Sequence, residues 1–124
     1  DYASAVANAE RALTNLLATD PDAAMVAQLK ISLAIYLSQQ GRAQRAREYA
    51  LDALARRRKQ FGDNDPKVGD AEFQLARLDL DVQRPAEALL RAKRALLLIE
   101  QAYGPAHPSV ADVLDVLAGP IYTS

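Results

Sequence analysis

Phe61-Gly-Asp-Asn-Asp-Pro66 returns 42 residues later as Tyr103-Gly-Pro-Ala-His-Pro108, and that recurrence decides the fold. The interval holds on both sides of the loop. Val26, Val68 and Val110 are spaced by it, as are Leu33-Ala34, Leu75-Ala76 and Leu117-Ala118, and Ala46/Ala88, Ala50/Ala92, Ala53/Ala95 and Leu54/Leu96. Self-similarity at a fixed period of about 20 to 50 residues is the mark of a stacked repeat array, in which each unit buries its apolar face only against its neighbours.

Working outward from the loops, apolar residues fall at helical spacing. Residues 22–39 place Val26, Leu29, Leu33 and Tyr36/Leu37 on one stripe, and Gly41 ends the segment as a residue suited to left-handed backbone. A second helix, 43–60, follows after a turn short enough to force an antiparallel hairpin. Its inner face is Ala46, Ala50 and Ala53, small residues that let helix axes approach toward the short end of the roughly 8–10 Å range. The pattern repeats as 66–82, with Val68, Ala71, Leu75 and Leu78 inward, and 85–102, with Ala88, Ala92 and Ala95. Gln83-Arg84-Pro85 replaces the glycine turn there, and the Leu96–Ile99 run marks 85–102 as the most buried helix.

The ends read as halves of the same unit. Residues 3–18 carry Ala5, Ala9, Ala12 and Leu13, the spacing of Ala46, Ala50, Ala53 and Leu54, and Asp20-Pro21-Asp22 starts the next helix with proline in its first turn. His107-Pro108 opens a last helix, 108–118, which Gly119-Pro120 breaks, leaving 121–124 extended or frayed. The expectation is one all-α domain over 1–124: half repeat 3–18, repeats 22–62 and 66–104, half repeat 108–118. The chain opens at Asp1 without Met and in mid-repeat, so it is expected to be a piece of a longer protein.

Composition bounds the function. Half of the residues are apolar, aromatics are few and cysteine is absent, which excludes disulfides, thiolate metal sites and cysteine nucleophiles and leaves the compartment open. A net charge of −1 argues against a general nucleic-acid binder. No apolar run approaches the roughly 18 residues of a membrane span. Charge alternates with the half-repeat: residues 1–41 sum to −2, 42–60 to +5, 61–83 to −4, 84–103 to +2 and 104–124 to −2.

With period, small-residue ladder and linkers placed, the chain resembles tetratricopeptide repeats of the 42-residue variety found in kinesin light chains and many bacterial signalling proteins. The resemblance rests on Val26-Ala27 through Leu33-Ala34, Gly41-Arg42, Ala46, Ala53-Leu54, Phe61-Gly62 and Asp65-Pro66, recurring as Val68, Leu75-Ala76, Ala88, Ala95-Leu96, Tyr103-Gly104 and His107-Pro108. It implies a right-handed superhelix of helix hairpins, the first helix of each pair lining a concave groove and the second lying outside. Groove asparagines that grip a peptide backbone in such repeats fall here on Ile31 and Ser32, Phe73 and Gln74, and Asp115 and Val116, none of them asparagine. An unaltered kinesin-light-chain cargo mode is therefore not expected.

The same correspondence assigns the groove face to Gln28, Ile31, Ile35 and Ser38, then Asp70, Phe73, Arg77 and Leu80, then Asp112 and Asp115. Apolar groups rimmed by carboxylates suit a peptide with apolar anchors and basic or neutral flanks; the alternative is that Ile31, Ile35 and Phe73 pack between repeats. Arg56-Arg57-Arg58-Lys59, with Arg42, Arg45 and Arg47, reads as a solvated outer face rather than a phosphate patch. Asp63-Asn64-Asp65 and Asp79-x-Asp81 do not match a calcium loop, and Asp79 stands where Leu37 stood one repeat earlier, a costly place for an unpaired carboxylate. His107 reads as a linker residue, and Tyr36, Tyr49, Phe61 and Tyr103 as packing residues. No nucleophile with a base and orienting acid can be assembled. The reading is a non-catalytic interaction module of a larger scaffold or signalling protein, with no metal or cofactor, binding a protein or peptide. The alternative is a self-assembling spacer that associates through its end helices.

Overall fold

The computed structural model describes the backbone of residues 1–122 and the side chains of residues 1–118. Among these residues it is all-helical: α1 Tyr2–Thr19, α2 Ala24–Gln39, α3 Ala43–Phe61, α4 Pro66–Asp81, α5 Pro85–Tyr103 and α6 Pro108–Tyr122. The short connections make consecutive helices antiparallel. Each packs on the next, and α2–α4 and α4–α6 also touch. Among the described residues the backbones of α1, α3 and α5 do not approach one another. The row α2, α4, α6 is thus the tighter, concave side of the stack, and α1, α3, α5 form the outer row.

The recurrent loops act through their backbone. Asp65 caps α4, its Oδ1 accepting from the Lys67 N–H at 2.8 Å, and His107 does the same for α6, its Nδ1 accepting from the Ser109 N–H at 3.1 Å. The Tyr103 ring stacks on His107 with centroids 4.6 Å apart, so these linker aromatics stiffen a turn. The hairpin turns also match. Gly41 has φ +78°, and the Arg42 N–H reaches back to the Leu37 carbonyl at 2.9 Å. Gln83 takes the same left-handed conformation at φ +65°, with the Arg84 N–H on the Asp79 carbonyl at 2.7 Å. A side chain is tolerated in that conformation at some strain, because the same wide hydrogen bond closes the helix end.

Two boundaries differ from the sequence reading. Pro21 lies in the turn before α2 rather than in its first turn, because the helix starts only at Ala24 after the Ala23 N–H closes on the Asp20 carbonyl at 3.1 Å. In the other two linkers proline directly follows the capping residue. Gly119-Pro120 does not break α6, which runs to Tyr122. A proline removes one backbone donor and crowds one carbonyl, which bends a helix more readily than it stops its last turns. Thr123 and Ser124, expected to be extended, lie outside the described residues.

The alanine ladder is the crossing surface in both hairpins. Ala46, Ala50, Ala53, Ala88, Ala92 and Ala95 are fully buried. Axes come so close between α4 and α5 that a Cβ on Gly69 would stand 3.1 Å from Leu98 Cβ and 3.3 Å from Ile99 Cγ1. Leu33, Leu37, Leu75, Val26 and Val68 fill the space between layers. The most buried helix is α4, not α5: it is covered by α3 and α5 and touched by α2 and α6, whereas α5 presents Leu90 and Leu97 to solvent.

The basic helix α3 is likewise not simply a solvated face. Arg47 and Arg57 are buried. Arg57 donates to Gln28 Oε1 and to the Lys67 carbonyl, both at 2.9 Å, and burial pulls its guanidinium below the usual arginine value while Asp70 and Asp65 work against that pull. Arg47 Nε donates to Asp79 Oδ1 at 2.7 Å. Long side chains thus bridge the outer row where backbones do not: Arg45 pairs with Glu10 of α1 at 2.8 Å, and Arg47 with Glu87 of α5 at 3.2 Å.

A candidate partner-binding groove

The concave row presents the groove positions unequally. Ile31 is only 6% exposed and belongs to the main core. Of the two readings of Ile31, the packing one holds: its side chain is taken up by the core and is not available as an apolar anchor in the groove. Ile35, one turn on, is 37% exposed. It forms the wall of a notch between α2 and α4 with Ala34, Ser38, Gln39, Gln74, Arg77 and Leu78. At the notch rim Ser38 Oγ donates to Asp81 Oδ2 at 3.4 Å.

Phe73 is half-buried, packed against the cluster that joins α4 to Val110 and Val113 of α6. Arg77, one turn away, holds its guanidinium over that ring, 5.8 Å from the centroid, and so places a cation where the groove is otherwise acidic. Leu80 is half-buried, and Asp112 and Asp115 are exposed on α6. Asp70 reaches solvent, yet the protein around it raises its carboxyl above the ordinary aspartate value, with Arg57 and His107 pulling the other way. Gln28 is exposed but its oxygen is engaged by Arg57. The structure therefore brings Ile35, Ser38 and Arg77 to one notch and Phe73 to its edge. Leu80, Asp112 and Asp115 stand along the same row.

Sequence reasoning placed Gln74 on the groove face only as the site of an absent asparagine, and it missed Gln39 in the notch lining and Asp81 at the notch rim. Asp81 had a signal, since it follows Arg77 by one helical turn. It also missed the ion network behind the groove. Asp79 is fully buried, held by Arg47 at 2.7 Å and by Arg91 Nε at 3.0 Å. Glu72, almost as buried, meets Arg58, Arg91 at 3.5 Å and Arg94 at 3.8 Å. The signal for Asp79 was its substitution for Leu37, which required a partner.

Six antiparallel helices among the described residues, in neighbour-to-neighbour packing and with a 42-residue recurrence of caps and ladder, describe a helical-repeat solenoid. Sequence comparison supplies the deciding observation: the family described as Tetratricopeptide repeat matches residues 25–96, more than half of the chain. The chain belongs to the tetratricopeptide repeat family. Comparison with curated proteins found no match. The matched stretch takes in α2, α3, α4 and the ladder of α5, so the notch beside Ile35 and the ring of Phe73 lie within tetratricopeptide repeats. Such repeats are generally protein-interaction modules.

Proposed function

We propose that the concave row binds an extended or helical segment of a partner protein, basic or neutral in charge, with apolar side chains seated near Ile35, Phe73 and Leu80. The domain acts as a non-catalytic interaction module of a larger scaffold. The observation that carries this reading is the accessible apolar surface of Ile35 and Phe73 on a row whose exposed charges are mostly carboxylates: Asp70, Asp81, Asp112 and Asp115. Apolar contact supplies residence time, and the carboxylates steer a basic segment and are screened by salt over about 8–10 Å.

Selection from a random peptide library against the intact chain provides the probe, and stopped-flow association with the selected peptide provides the test. Phe73→Ala should mainly raise the off-rate, and Asp112→Lys should mainly lower the on-rate and flatten its salt dependence. If neither change alters either constant while substitutions at Arg56 and Arg58 abolish binding, the groove is not the site.

A second reading has its own observation. The face of α6 that bears Ala111 and Leu114 is open, Leu114 being 48% exposed, whereas the corresponding residues Ala27 and Lys30 of α2, and Gly69 and Glu72 of α4, are covered by the following helix. Self-association through α1 or α6 follows from such a face, and sedimentation at several concentrations distinguishes it from peptide capture.

A further inference from the structure

Leu90 and Leu97 are 71% and 56% exposed on α5, two turns apart on one face of the helix. Their exposure is not an effect of standing near the end of the stack. The corresponding residues of α3 are Glu48 and Ala55, and both are exposed although α4 and α5 pack beyond them. The stacking geometry never covers these two positions. In the first hairpin they carry a carboxylate and a methyl group; in the second they carry two large apolar side chains facing water.

Their surroundings are cationic. Lys93 and Arg94 stand between the two leucines on the same face, both exposed, and Lys93 has no ion-pair partner among the described residues. Beside Leu90 an open hollow of about 500 Å³ is lined by Arg58, Glu72, Glu87, Arg91 and Arg94. Its carboxylate Glu72 is shared among three guanidiniums, of which Arg94 is the most distant at 3.8 Å and the most exposed. Arg94 is thus held weakly and can turn to a carboxylate arriving from outside.

We infer that this convex face of the second hairpin is a second docking surface, for an acidic amphipathic helix of a partner protein. Apolar side chains of that helix cover Leu90 and Leu97, one of them entering the hollow, and its flanking carboxylates meet Lys93 and Arg94. The sign of charge is opposite to that of the groove, so the two surfaces select different segments. An anionic bilayer also attracts leucines set among cations. Against it stands the recess beside Leu90, which receives a side chain but which a flat bilayer leaves unfilled.

The test uses the intact chain and a labelled synthetic helix of about four turns with leucines at helical spacing flanked by glutamates. Controls are the same composition in shuffled order and vesicles rich in phosphatidylserine. The ordered peptide should bind. Leu90→Ser and Leu97→Ser should each weaken binding by about tenfold, Arg94→Glu should slow association, and Phe73→Ala should leave it unchanged. The leucines are exposed, so thermal unfolding by circular dichroism should match the parent in both variants. Equal binding of the shuffled peptide, insensitivity to both leucine substitutions, or binding to vesicles but not to the peptide would overturn the inference. Loss on Phe73→Ala would also overturn it, by returning the binding to the groove.

Discussion

In the first hairpin Lys30 of α2 binds Asp52 of α3 at 2.7 Å. In the second, 42 residues on, Glu72 of α4 stands 3.8 Å from Arg94 of α5: the same pair of positions with the signs exchanged. A second position differs as sharply. Leu37 and Asp79 correspond and are both fully buried, yet one sits among apolar groups and the other between Arg47 and Arg91. The repeat thus dictates which positions meet but not the chemistry of meeting. The exchange of sign has a structural use: α2 paired wrongly with α5 would set Lys30 against Arg94, and α4 paired wrongly with the Asp52 face would set Glu72 against a carboxylate. Like charges at a swapped contact hold two otherwise similar hairpins to their own partners.

The largest test of this contrast is to give the second hairpin the interior of the first. Asp79→Leu takes the nearest carboxylate from two guanidiniums, leaving Arg47 to Glu87 at 3.2 Å and Arg91 to Glu72 at 3.5 Å, and should cost about 3 kcal/mol in urea unfolding. Adding Arg47→Met and Arg91→Met should recover most of the loss, because a buried ionic cluster can be replaced by apolar groups of similar volume. A cost below about 1 kcal/mol for Asp79→Leu alone would mean that water reaches Asp79 and the contrast is superficial.

Next comes charge reversal within each pair. Glu72→Lys would face three arginines from a nearly closed site and should cost about 3 kcal/mol or more. Lys30→Glu, at a side chain 14% exposed and facing Asp52 at 44%, should cost less, about 1–2 kcal/mol. Equal costs would show that burial is not what separates the two pairs.

Overpacking should then reveal what the hairpins share. Ala50→Leu and Ala92→Leu occupy corresponding, fully buried rungs of the ladder, and each should destabilise by about 1–3 kcal/mol. A large inequality between the two midpoints would mean that the hairpins differ in backbone spacing as well as in chemistry.

The smallest effect concerns pH. Burial alone would raise the Asp52 carboxyl, but Lys30 and Arg56 outweigh it and hold the group below the ordinary aspartate value. A carboxylate whose folded value is depressed adds stability above its unfolded value and loses it as pH falls through the folded one. Asp52→Asn should therefore lower stability at neutral pH by less than about 1 kcal/mol, since the group is half-exposed. It should also flatten the loss of stability with acid below about pH 4. An unchanged acid limb would show that Lys30 and Arg56 are not held by Asp52 in solution.

The fold was legible because caps, turns and the alanine ladder recur at one interval, and each is a local signal set by backbone geometry. Gln83 shows how robust it is, taking the glycine turn without a glycine. The ion network was not legible. Arg47 meets its carboxylates 32 and 40 residues away, and no local pattern separates it from Arg45, which pairs at the surface. Both readings of Ile31 stand in the sequence for a related reason: it and Ile35 are one turn apart, and only the closeness of neighbouring helices decides which of them reaches solvent.

Packing only between neighbours has a consequence for biosynthesis. Every helix finds its main partners in the helix just before it and the one just after, and among the described residues the contacts that skip a helix are few: α2–α4, α4–α6 and the ion pairs of Arg45 with Glu10 and Arg47 with Glu87. A chain leaving the ribosome amino end first can therefore close α1 on α2, then α2 on α3, in the order of translation, with each new helix landing on a surface already in place. Low sequence separation between contacts makes such closures fast, and apolar surface is left bare mainly at the growing end.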